Sequence, residues 1–215
     1  MANINHAFGL SPVRTTTGAP WNEQGRLYAV ANDASNSYAI GDVVAPSTSC
    51  DVNGVMYCTK WTSTAQLPLG VVVGIVPASD SATLQGATLS LETTYLAVSA
   101  GVRYVRVVDD PKIVMLVQAD STGIKQDDVG LNGTLTVTAN QTTLAQSSPL
   151  SSVVLSHTTI ALGTTGSLAY PLQIIGLSNK PNNAFGATAA TASPYVEALV
   201  TWNQHYFGGP KTGTA

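Results

Sequence analysis

Charge is what this 215-residue chain has least of: 12 acidic and 9 basic residues make 10% of it, against about 25% in an ordinary globular protein. A formal net charge of −3 supplies no strong positive field, which excludes nucleic acid or an anionic membrane surface as an electrostatic partner. Long apolar runs are missing as well. The longest, Pro68-Leu-Gly-Val-Val-Val-Gly-Ile-Val-Pro77, falls well short of the roughly 20 residues a bilayer helix needs and reads as a buried strand. The N-terminus, Met1-Ala-Asn-Ile-Asn-His-Ala-Phe8, has neither a basic leader nor an apolar core, so no secretory signal is expected.

Reactive residues are equally sparse. Histidine occurs only at His6, His157 and His205. No serine sits in a G-x-S-x-G elbow, so an activated nucleophile with its oriented base is not expected. H-E-x-x-H, P-loop, G-x-G-x-x-G and calcium-loop signatures are absent, and no cofactor or metal is expected. The pairs Asp109-Asp110 and Asp127-Asp128 are turn carboxylates, whose usual work is to accept backbone amide hydrogen bonds. The two cysteines, Cys50 and Cys58, flank an Asn53-Gly54 hairpin signal. A two-residue loop would set Cys50 opposite Tyr57 and a three-residue loop opposite Cys58. A disulfide and a pair of reduced structural thiols therefore both stay open, the latter favoured without a secretion signal.

What is present is hydrophobic residue at an ordinary 44% and many short Val, Ile, Leu, Thr and Tyr runs broken by turn residues. That pattern predicts an all-β fold, a mostly antiparallel sandwich or barrel, rather than a β–α alternation. Strands are expected over 26–31, 38–45, 55–61, 69–76, 88–92, 102–108, 113–118, 134–138, 152–155, 172–177 and 195–202. Asp109-Asp110-Pro111-Lys112 is read as the tight connection of a hairpin over 102–118, since Pro presets φ.

Residues 1–25 show no sustained period and are read as an extended arm, carrying Phe8 and Trp21 either onto another subunit or across this chain's own core. Residues 26–207 are read as one β domain, with two subdomains meeting near 120–130 as a variant, and 208–215 as a flexible tail. From Val129 to Asn179 there is no Asp, Glu, Lys or Arg, which points to a surface covered by another chain. At the terminal strand, Val196, Ala198, Val200 and Trp202 share an inward face, and His205, Tyr206 and Phe207 are expected to emerge beyond it.

Several blocks, in order, resemble the capsid decoration (cement, head-stabilising) proteins of tailed bacteriophages. They are Gly41-Asp-Val-Val44, Pro68-Leu-Gly-Val-Val-Val-Gly74, Val107-Val-Asp-Asp-Pro111 leading to Gln118-Ala-Asp120, and Asp127-Asp-Val-Gly-Leu-Asn132. Pro171-Leu-Gln-Ile-Ile-Gly-Leu177, Lys180-Pro-Asn-Asn183 and the Val-x-x-Asn-x-His-Tyr element at Val200 to Tyr206 complete the series. The resemblance implies a jelly-roll-like, non-enzymatic structural protein, made in the host cytoplasm and carried on the outer capsid surface of the virion. Its partners would be the major capsid protein and itself, as a homodimer or homotrimer. Phe8, Trp21, Asp109, Asp110, Pro111, His205, Tyr206 and Phe207 are the interface candidates. The competing expectation is a receptor- or carbohydrate-binding β module of a phage virion, for which Trp21, Trp61, Trp202 and Tyr206 are the available aromatics.

Overall fold

A computed structural model describes residues 3–30, 38–76, 95–96, 103–137, 151–157, 160, 170–186 and 193–210. Within these the fold is nearly all β, as the runs of β-branched residues predict. The expected strand at 88–92 lies outside the described residues.

Five short strands close a barrel. They are β2 (Arg26–Val30), β4 (Val43–Cys50), β5 (Met56–Lys60), β6 (Gly70–Val76) and β8 (Arg103–Val108), in the order β2-β5-β4-β6-β8. All pairs are antiparallel except β2 with β5, which run parallel and complete the ring. So few strands enclose a narrow interior, and Val30, Val44, Val72, Val105 and Val107 fill it with Tyr28, Cys58, Leu69 and Ile75. Each such buried side chain contributes about 1.5–3 kcal/mol. Beside the barrel, β3 (Tyr38–Ala39) pairs with β7 (Tyr95–Leu96).

A second, five-stranded antiparallel sheet is assembled from β1 (Ser11–Thr15), β9 (Ile113–Gln118), β14 (Glu197–Trp202), β13 (Leu172–Leu177) and β10 (Asn132–Gly133), in the order β1-β9-β14-β13-β10. Its inner face presents Met115, Val117, Leu172, Ile174, Ala198, Val200 and Trp202, all buried. Alternation along the barrel strands supplies the other half of this core: Val43, Ala45 and Val71 point to the sheet, whereas Val44 and Val72 point into the barrel. Barrel and sheet are thus two layers with no strand in common, barrel strands β4 and β6 lining the barrel interior on one side and the core against the sheet on the other. A small ladder of β11 (Leu135–Thr136) with β12 (Val154–Leu155) adds Leu135 and Leu155 to the same core.

The pairing corrects the hairpin expected over 102–118. Both edges of β8 are taken by β2 and β6, and both edges of β9 by β1 and β14. The Asp109-Asp110-Pro111-Lys112 turn is instead the corner at which the chain leaves the barrel and enters the sheet. Its local chemistry is as expected: the Lys112 amide donates to Asp110 Oδ1 at 2.8 Å. No pair of four-stranded Greek-key sheets of the jelly-roll kind appears among the described residues.

Residues 3–25 are not a free arm; they strap this chain's own core. Leu10 is buried in the shared core, and β1 pairs along β9 with a bulge at Pro12/Arg14. The Trp21 amide donates to the Val13 carbonyl at 3.1 Å, so the 15–21 turn covers the outer edge of β1. The strap crosses the Gly41-Asp42 turn where Gly9 and Gly41 both have positive φ, +72° and +94°; a Cβ on Gly9 would strike the Gly41 carbonyl, and one on Gly41 the Phe8 carbonyl.

Beneath that crossing lies a buried polar node. Asp42 accepts from Lys60 Nζ at 3.1 Å, the Ala39 amide at 3.0 Å and Ser151 Oγ at 2.5 Å. Breaking such a buried pair by removing one partner typically costs about 3–5 kcal/mol. Ser151 also locates the uncharged run. Where described, Leu135, Ser151, Val153, Leu155, Ser156, Leu172 and Ile174 are buried within this chain, while Val129, Gly130, Thr136, Gln173 and Ile175 are exposed, so the run supplies interior and surface positions alike.

The Asn53-Gly54 turn forms, with Gly54 at φ +77°. Asp51 Oδ1 accepts the Asn53 and Val55 amides at 2.9 and 2.8 Å, holding a loop longer than either considered from sequence. Cys50 consequently faces Met56 and Cys58 faces Pro46. Both thiols are free, Cys50 exposed and Cys58 inside the barrel, where burial pushes the thiol pKa up to about 12.

Candidate functional site

The corner at Asp109–Lys112 and the turn beyond β14 meet at one end of the molecule. Beyond Trp202 the chain forms a two-stranded ladder of β15 (Gln204–His205) and β16 (Gly209–Pro210). Its turn packs on the corner: a Cβ on Gly208 would lie 2.9 Å from Pro111 Cβ. The Tyr206 amide donates to the Pro68 carbonyl at 2.8 Å, bringing the half-exposed Leu67 loop alongside.

The corner carboxylate is pinned from the barrel. Tyr28 Oη donates to Asp109 Oδ2 at 2.6 Å, and Arg26 Nη1 lies 3.2 Å from the same oxygen. Burial first, and then the hydrogen bond to Asp109, raise the Tyr28 phenol well above its ordinary range. The Arg26 side chain is 66% exposed, so its ion pair contributes little to stability. Its guanidinium sits 5.6 Å from the centroid of the Phe207 ring, a cation–π placement. Arg26 therefore joins the Asp109 corner to the aromatic turn.

His205, Tyr206 and Phe207 divide unequally. Tyr206 and Phe207 are 45% and 49% exposed, with ring centroids 5.1 Å apart in an edge-on pair. His205 does not emerge on the surface: it is 1% exposed, its ring 5.5 Å from that of Trp202, and its Nδ1 accepts the Phe207 amide at 3.1 Å. Its role is to shape the turn that presents the two aromatics. Trp61 and Trp202 are fully buried core residues and leave the set of possible ligand-facing aromatics.

Two concavities border the strap. One, of about 640 Å³, lies between the 15–25 segment and the barrel and is lined by Trp21, Asn22, Gln24, Arg26, Arg106, Asp109 and Asp110 among others. The other, of about 500 Å³, runs between the strap and both layers past Phe8, Leu10, Trp21, Val73 and Leu116, with the Lys180–Glu197 ion pair at 2.6 Å among its lining residues. Phe8 and Trp21 are therefore half-buried against their own chain, with Trp21 in the wall of both clefts.

The structure thus brings Asp109, Asp110, Pro111, Tyr206 and Phe207 to one end, with Trp21 in the adjoining cleft and Phe8 in the next. Sequence reasoning missed Arg26, Leu67 and Arg106. Arg26 is far along the chain from Asp109 and Phe207 and is brought to them by the pairing of β2 with β8; Leu67 arrives through the bond from the Tyr206 amide to the Pro68 carbonyl; Arg106, close to Asp110 in sequence, stands on β8 itself. Among the described residues no group of three or more His, Cys, Asp or Glu side chains could hold a metal ion, and no helix is long and apolar enough to cross a membrane. Comparison with family models, curated proteins and solved structures gives no match.

Proposed function

We propose that this chain is a non-enzymatic structural protein of a phage virion, which binds the outside of an assembled head as a homodimer or homotrimer and bridges major-capsid subunits. The observation that carries the reading is the Tyr206–Phe207–Arg26 cluster, an exposed aromatic and arginine patch held at one end of a rigid β scaffold. Tyr and Arg are enriched among residues that dominate protein interfaces. The ordered series of blocks from Gly41 to Tyr206 that resembles the decoration proteins supports the same reading.

The mechanism is linkage. A protein that binds the lattice better than its dissociated subunits stabilises the lattice by mass action, and several protomers engaging together multiply modest contacts through effective concentration. Heads saturated with the protein should rupture at higher temperature or greater osmotic shock than heads lacking it. Tyr206→Ala with Phe207→Ala should weaken occupancy by roughly 5- to 30-fold, the cost of losing one or two interface anchors. Equal rupture of bare and fully occupied heads would sink the proposal.

A further inference from the structure

We propose that the cleft between the 15–25 turn and the barrel is a binding site for a neutral saccharide. The inference does not rest on the capsid reading, since an isolated protein could bind sugar and ignore heads, or the reverse.

Arg106 is a donor that lacks an acceptor among the described residues. Arg106 lines the cleft, its Nε is buried without a hydrogen-bond partner, and among the described residues no carboxylate lies within ion-pairing distance of it. The Nε is enclosed by protein, so what Arg106 offers the cleft is its terminal Nη groups, for which no acceptor is found among the described residues. The stem is held in place because Gly25 lies against it: a Cβ on Gly25 would meet Arg106 Cγ at 2.8 Å.

Acceptors stand in the same cleft. Asp109 is engaged by Tyr28 and Arg26, but of Asp110 only Oδ1 is used, by the Lys112 amide. A carboxylate has about four lone-pair sites, so Asp110 can still accept from a ligand hydroxyl. Two arginines face two aspartates, a balance that favours no net charge of either sign. The exposed carboxamides of Asn22 and Gln24 add donors and acceptors together. The ligand that matches is uncharged, with donors and acceptors on the same small groups, which describes sugar hydroxyls.

Trp21 supplies the apolar element such sites use. Its Nε1 donates to the Gln24 carbonyl at 3.1 Å, which fixes the indole in the cleft wall. The volume, about 640 Å³, falls in the range of small-molecule sites, which combine an apolar wall with a few placed polar groups.

The test is the purified full chain on a printed array of neutral and acidic glycans, with the strongest neutral glycan then titrated by calorimetry. Neutral glycans should bind, and both Arg106→Met and Asp110→Asn should weaken the titrated glycan at least about tenfold, a loss of roughly 1.4 kcal/mol. Circular dichroism of each variant reports whether it folds, and the second variant decides the matter if the first does not. A wild-type chain that binds no glycan, binds only acidic ones, or binds equally well in both folded variants overturns the proposal. Rupture of decorated heads is measured separately, so either idea can fail alone.

Discussion

Asp51 shows how one side chain sets a loop and a pH limit together. Burial disfavours its charge, but hydrogen bonds from Tyr104, Val55 and Asn53 outweigh that and hold its pKa below the ordinary value. A carboxylate whose folded pKa is lowered contributes stability above its unfolded pKa, about 3.9, and loses it as pH falls through the folded value. Asp51→Asn should therefore be less stable than the parent at neutral pH, with the gap closing in acid; urea unfolding at stepped pH measures it. Tyr104, raised chiefly by its hydrogen bond to Asp51, acts oppositely, stabilising below about pH 10 and losing that contribution as pH rises. The Asn-Gly turn was legible in the sequence because those residue types tolerate positive φ. The register was not, because it depends on how Asp51 closes the loop, and so the cysteine positions were open until the ladder placed them.

Among the elements, legibility followed local hydrophobic pattern. Residues 113–118 and 172–177 form strands at their expected bounds, and 26–30, 56–60, 70–76 and 103–108 fall within a residue or so of them. β1 was illegible because its five residues include a proline and a bulge, and its strength comes from pairing with β9 nearly 100 residues away. The 102–118 hairpin misled for the converse reason: its turn chemistry is local and correct, but the edges of both strands are claimed by distant partners. The strap is consequently structural. Removing residues 3–25 should destabilise the β core in urea rather than leave it intact, since Leu10→Ala alone removes a buried side chain worth about 2–5 kcal/mol. Gly41→Ala should reproduce much of that effect by clashing with the Phe8 carbonyl. A deletion with unchanged unfolding midpoint would make the strap ornamental.

For the whole molecule, barrel and sheet cannot separate without exposing Trp202, Met115 and Val200 on one side and Val43 and Val71 on the other. Strands β4 and β6 belong to both cores at once. Thermal unfolding should therefore show one transition whether followed by fluorescence or by far-ultraviolet circular dichroism. Trp202→Ala should shift that single transition by about 3–5 kcal/mol; two resolved steps would mean that the layers are independent domains. The candidate site was half legible for the same reason. Tyr206 and Phe207 stand out beyond a terminal strand, but their neighbour Arg26 is supplied by barrel closure and Leu67 by the bond from the Tyr206 amide to the Pro68 carbonyl.

The strap also sets a timetable for synthesis. Asn3 Nδ2 donates to the Pro194 carbonyl, 191 residues further on, and β1 has no sheet to join until β9 and β14 exist. At roughly 5–20 residues per second, Asn3 waits about ten to forty seconds for Pro194 to be made. Contacts so distant in sequence are slow to form even afterwards. During that interval Leu10 and the bare edge of β9 are open to other nascent copies, and exchange of N-terminal segments between chains is the error this topology invites.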